Sequence, residues 1–278
     1  MESASPGMSL FPLAAALTAG AFGAVLGARF AAGRRPHEGL WAIAMLMYSA
    51  ASFAMFLGVA RGWTVPAFRT YWLLGAILNV PYLALGELFL LTRNRRLAAA
   101  GLILVLVATG YAGWIVWDAP LVAASLRSHS LPLGREVFGD GTLPYRLSQL
   151  YAFPAYFFLL GGSVLSAWRM RARPDLRERA GGVALIALGA TVVAIGSGIG
   201  AGFRLVPVFS VSLALGVGIM FGGFLVATRR VSARLQTGER HRTSRGLVNS
   251  PSRAFLRLDQ SIRAPAPNKA RKPPRRRR

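Results

Sequence analysis

Seven separate runs of about twenty mostly apolar residues, divided by short arginine-bearing connections, dominate this sequence. They cover residues 8–28, 40–60, 71–91, 97–117, 147–167, 182–202 and 205–227. A helix rising 1.5 Å per residue crosses the ~30 Å hydrocarbon core in about 20 residues. Lipid offers no partner to a free N–H or C=O, so each run must satisfy its own backbone as a helix. Alternating apolar and polar residues, the mark of a barrel strand, are absent. The expected fold class is therefore all-α, a polytopic membrane helix bundle of about seven transmembrane helices.

The connections orient it. Arg29, Arg34 and Arg35 follow the first run, and Arg93, Arg95 and Arg96 follow the third. Arg169, Arg171, Arg173, Arg177 and Arg179 follow the fifth, and Arg229 and Arg230 the seventh. The opposite connections hold only Arg61, Arg69, Arg127, Arg135, Arg146 and Arg204. Arginine-rich loops stay in the cytoplasm, so the expectation is N-terminus out and C-terminus in, which an odd number of spans allows. Only Glu2 and no basic residue precedes the first run, which marks it as an uncleaved span rather than a signal peptide. Trp41, Trp63, Trp114, Trp117 and Trp168 fall near expected interfaces, where tryptophan anchors helices. Residues 118–146 form the one sizeable outside loop, expected to lie along the interface or cap the bundle.

Charge divides the chain in two. Charged residues make up 15% of it, against about 25% in a soluble domain, yet the net charge is +23. Nearly half of the 33 lysines and arginines lie in the last 50 residues. The expected organisation is a membrane domain, 1–228, and a basic, Pro- and Arg-rich disordered tail, 229–278, of low hydrophobicity and high net charge. Within the tail, Phe255, Leu258 and Ile262 could line one face of a short surface helix. Arg275, Arg276, Arg277 and Arg278 are expected to contact anionic lipid at the inner leaflet. The same charges could touch nucleic acid, but the membrane beside them is the better partner.

Candidate chemistry is sparse. Glu87 is the one acidic residue inside a span, and an intramembrane carboxyl is a functional candidate by default. Asn79 shares its helix face two turns away, and Pro81 between them removes a backbone donor. Asn79 and Glu87 are thus the candidate ligand or ion site. The competing reading pairs Glu87 with a nearby arginine and spends Asn79 on the kinked backbone. Small residues recur at four-residue spacing in Gly23 and Gly27, in Ala190, Ala194, Gly198 and Gly202, and in Ala214, Gly218 and Gly222. Such stripes let helices approach, within one chain or between two copies.

Several chemistries are excluded. The chain has no cysteine, hence no disulfide and no thiolate nucleophile or ligand. His37, His129 and His241 lie outside the spans without metal-ligand spacing. Lysine occurs only at Lys269 and Lys272, so no span holds a Schiff-base lysine. Neither a catalytic set nor a metal or cofactor is expected.

The segments WAIAMLMYSAASFAMFLGVARGW and YWLLGAILNVPYLALGELFLL resemble a family of uncharacterised actinobacterial multi-pass membrane proteins, over about residues 8–228. More distantly the layout is similar to bacterial seven-helix sensor modules, although no kinase or cyclase domain follows. These resemblances imply a plasma-membrane protein and supply no site residues. The functional expectation is a sensor-like or accessory membrane protein acting through a membrane-protein partner or as a homodimer. The alternative is a transporter or channel subunit using the polar face around Asn79 and Glu87.

Overall fold

The computed structural model describes residues 9–128, 131–171, 173, 176–202 and 205–248. Its elements are α1 (Leu10–Gly33), α2 (Pro36–Arg61), α3 (Val65–Thr70), a π-helical segment (Tyr71–Leu78), α4 (Asn79–Leu91), α5 (Arg95–Asp118), α6 (Ala123–Ser128), α7 (Gly134–Val137), α8 (Leu143–Arg171), α9 (Arg177–Gly202) and α10 (Val206–Val248). Seven helical stretches are long and apolar enough to cross a membrane, with α3, the π segment and α4 forming one of them. The chain is thus an all-α, multi-pass membrane protein by length and composition. It divides into the unit Met1–Thr228 and the unit Arg229–Arg278. Helical backbone is assigned as far as Val248, past the expected start of a disordered tail at Arg229. The expected surface helix near Phe255 and the terminal Arg275–Arg278 lie outside the described residues.

Local sequence sets the helix ends. Arg34 adopts the left-handed region at φ 51° and donates its N–H to Phe30 O, closing α1. Pro36 then opens α2, where its missing N–H costs nothing. Gly62, at φ 92°, ends α2 in a conformation that suits glycine. Asn94 caps α5, its side-chain oxygen accepting from Arg96 N at 3.0 Å and Leu97 N at 3.4 Å. These tight turns bring α1 against α2 and keep the connections short.

The outer faces are apolar. Leu104, Val107 and Trp114 of α5 are each about two-thirds exposed, as are Leu150 and Phe157 of α8. A water-facing protein does not carry so wide an apolar surface, whereas a lipid-facing one does. The interior is built from Leu26, Met45, Met55, Ile77, Leu78 and Val217 among others.

α9 and α10 meet backbone to backbone through glycines spaced by seven. A Cβ on Gly189 would lie 2.5 Å from Gly216 O, and one on Gly182 would lie 2.5 Å from Gly223 O. The close approach therefore runs through Gly182 and Gly189 against Gly216 and Gly223. Of the stripes expected from sequence, Gly198, Gly218, Gly222 and Gly27 meet nothing within 4 Å, while Gly23 packs on Leu46 of α2. Gly198, Gly218 and Gly222 therefore lie away from the contact between α9 and α10.

The 118–146 loop caps one end of the bundle. Leu131, Leu133, Val137 and Phe138 are buried. Phe138 packs against Phe68 and Trp72, and Trp72 Nε1 donates to Pro144 O at 3.1 Å. Gly134 lies beneath the Trp72 ring, where any Cβ would collide with it.

Gly189→Leu is expected to lower stability in detergent by about 1–3 kcal/mol, because it forces α9 from α10. Gly222→Leu, facing open space, should leave the melting temperature of the purified protein unchanged or raised. Equal effects of the two would refute this packing.

Candidate functional site

The bundle has two ends of different character. At one, the C-terminal parts of α1, α4 and α8 meet the N-terminal parts of α2 and α9, and here the arginines gather. Glu38, buried at 4% exposure, accepts from Arg29 Nε at 3.1 Å, and Arg35 Nη1 lies 3.8 Å from the same carboxylate oxygen. That ion pair ties the start of α2 to the end of α1. The Arg29 guanidinium also covers the Phe224 ring of α10 at 5.2 Å.

Within this end lies a cavity of about 290 Å³. Walls come from six helices, α1, α2, α4, α8, α9 and α10. Its deep part is apolar, with Met45, Leu83, Leu159 and Met220. Its polar groups are Glu87, Ser163 and Ser166, then Arg169 and Arg179 toward the helix ends. Trp41 forms one wall. Its indole lies over Gly86, where a Cβ would collide with the ring, and its Nε1 donates to Leu83 O at 3.1 Å.

Glu87 is 4% exposed and Ser163 3% exposed. Neither has a hydrogen-bond or ion-pair partner among the described residues. Glycine at 162 makes room for the carboxyl, since a Cβ there would stand 2.9 Å from Glu87 Oε1. The buried carboxylate is therefore seated against α8 and faces the cavity rather than an arginine. Arg169 and Arg179 likewise form no ion pair among the described residues.

Asn79 is placed differently. Its Nδ2 donates to Ala44 O of α2 at 2.7 Å, deep in the core, and it does not line the cavity. The segment before it is π-helical, and the Asn79 N–H reaches back five residues to Leu74 O. Pro81 follows in the first turn of α4. The wide turn thus stands just ahead of the residue that lacks a donor, a common place for a π segment to relieve a helix. Asn79 and Glu87 share a helix, but the structure gives them separate surroundings.

The other residues singled out by sequence divide as follows. Trp114, Trp117 and Trp168 are half exposed or more, as interface anchors require, whereas Trp41 and Trp63 face inward. Trp63 packs on Phe68 and Tyr71. Arg69 donates to Trp117 O and, at 2.8 Å, to Ala119 O, capping the C-terminus of α5. His37 stacks edge-on to Trp41 at 5.4 Å. Arg204, His129, His241 and Arg275–Arg278 lie outside the described residues or side chains. Sequence reading missed Ser163 and Ser166. Their spacing from Leu159, four and then three residues, would have placed all three on one face of α8.

Comparisons with protein-family models, with curated proteins and with solved structures gave no match. The family likeness drawn from sequence thus reduces to what the helices themselves show, a chain with seven long apolar spans.

Asn79→Leu is expected to cost about 0.6–2 kcal/mol, the range for an interhelical hydrogen bond in a bundle plus the Ala44 carbonyl left without its donor. Glu87→Leu should leave stability unchanged or improve it, because the carboxyl has no partner to lose. Thermal unfolding of both variants in one detergent checks the contrast, and a larger loss for Glu87→Leu would mean that the carboxyl is bonded.

Proposed function

We propose that this chain is a sensor-like membrane protein of the bacterial plasma membrane, acting through a protein partner. The observation carrying this reading is the ligand-sized cavity at the arginine-rich end, walled by six helices that include α10. A volume near 300 Å³ is the lower edge of what small-molecule sites offer. Met220 and Phe224 of α10 line it, and the same helix leads into the basic segment that begins at Arg229. An occupant that shifts α10 would alter what the following segment presents. Arginine-rich connections favour the cytoplasm, which would put both cavity and tail on that side.

The transport alternative needs a polar path across the bilayer. Asn79 is spent on Ala44 O, and the lining beyond Glu87 is apolar. These features favour reception of a ligand over its passage. The basic tail offers the contact for a partner and for anionic lipid, with Arg275, Arg276, Arg277 and Arg278 at its end.

Two measurements test this reading. In this cysteine-free background, single cysteines at Ser128 and Ser244 should react with an impermeant thiol reagent from opposite sides of the membrane, with Ser244→Cys protected in intact cells. Cross-linking of the full chain in its native membrane should capture one defined protein, and truncation after Arg230 should abolish that capture. Labelling of both positions from outside would overturn the orientation. Capture that survives truncation would remove the tail as the contact.

A further inference from the structure

We infer that the cavity binds a single-chain amphiphile carrying an anionic head group and a hydroxyl between head and chain. This inference rests on the reading of the cavity as a ligand site and adds the chemical class of the ligand.

The order of groups along the cavity carries the argument. Met45, Leu83, Leu159 and Met220 form an apolar floor. One turn beyond Leu159, Ser163 brings its hydroxyl, and Glu87 lies against the adjacent Gly162. Six residues further along α8 stands Arg169, about 9 Å on at 1.5 Å per residue. Arg179 enters from the start of α9. Moving outward, the site thus offers apolar surface, then hydrogen-bond acceptors, then positive charge.

Each zone favours a different group. The carboxyl of Glu87 is 4% exposed and takes no donor from the described residues, so it is free to accept from a hydroxyl of the occupant. Arg169 and Arg179 are exposed, form no ion pair among the described residues, and stand two to one against the lining carboxyl. That balance selects an anion, which arginine holds well through paired N–H donors. The volume of about 290 Å³ accommodates one short chain. A chain at the floor, a hydroxyl donating to Glu87 and an anionic head at the arginines match the three zones. A free fatty acid supplies the chain and the anion, and a monoacylglycerol supplies the chain and the hydroxyl. A lysophospholipid supplies all three.

The test uses the purified full chain in detergent, with binding read by native mass spectrometry against three short-chain probes, octanoyl lysophosphatidate, octanoate and monooctanoylglycerol. Lysophosphatidate should bind at least tenfold more tightly than either of the others. In the Arg169→Gln, Arg179→Gln double variant its advantage over monooctanoylglycerol should vanish. In Glu87→Leu its advantage over octanoate should vanish. Ser163→Leu, which fills the cavity beside the carboxyl, should abolish saturable binding of all three. Equal binding of the three probes, absence of saturable binding, or advantages that persist in the variants would each overturn the assignment. Preferential binding of octanoate would do so as well, by giving Glu87 no role. Capture of the partner through the tail is read separately, so failure here leaves that result standing.

Discussion

A bilayer interior supplies no hydrogen-bond partners, and that scarcity governs this molecule. It forces the backbone into helices, and it obliges side chains with polar atoms to spend them on other helices. Tyr48 donates to Leu213 O at 3.0 Å, Ser49 to Ala16 O at 2.7 Å, Asn79 to Ala44 O and Trp41 to Leu83 O. Each joins two segments far apart in the chain, so the polar residues act as staples for a bundle whose apolar faces give no preference between lipid and protein. Against that pattern an unpartnered polar group is informative. Ser210 Oγ is one such group, fully buried. Glu87 and Ser163 are the pair that open onto a cavity.

Packing without a hydrophobic driving force needs close approach, and the glycines of α9 and α10 provide it. Their seven-residue spacing keeps one glycine edge facing the partner through two turns at a time, as in coiled coils. A four-residue repeat drifts round the helix instead and carries Gly218 and Gly222 to the outside. Both repeats exist in the sequence, and period alone does not say which one faces a neighbour. The decision lies with the opposing helix: Gly216 and Gly223 match Gly182 and Gly189 in step, whereas a Cβ on Gly218 or Gly222 would meet no atom within 4 Å.

That distinction also marks how far the sequence was legible. Span number was readable because about 20 apolar residues admit one structure in lipid. Glu87 was readable as a candidate because a carboxyl in a span is costly wherever it points. Its surroundings were not, since the cavity draws on six helices and the room for the carboxyl depends on Gly162, distant in the chain. Asn79 was assigned to the same site because 79 and 87 share a face, but α2 packs on that helix near one and α8 near the other. The role of Arg69 was hidden for a similar reason. Its target is the end of α5, brought close only by folding, and an arginine near a helix end looks the same whether it snorkels or caps.

The two ends of the bundle complete the argument. At the Trp72 end, the loop after α5 folds inward, and Phe138, Leu131 and Leu133 fill the space between helices. Trp72, Phe68 and Tyr145 stack beneath it, and Arg69 donates to Trp117 O and Ala119 O at the end of α5. Among the described residues of the unit Met1–Thr228, no such plug of side chains fills the arginine-rich end. The helices there are held by Glu38 with Arg29 and by Trp41 against Gly86 rather than by a plug of side chains. Space left among them becomes the cavity. With the Trp72 end filled by side chains, the cavity lies at the other end, where Arg169 of α8 and Arg179 of α9 line it beside Glu87.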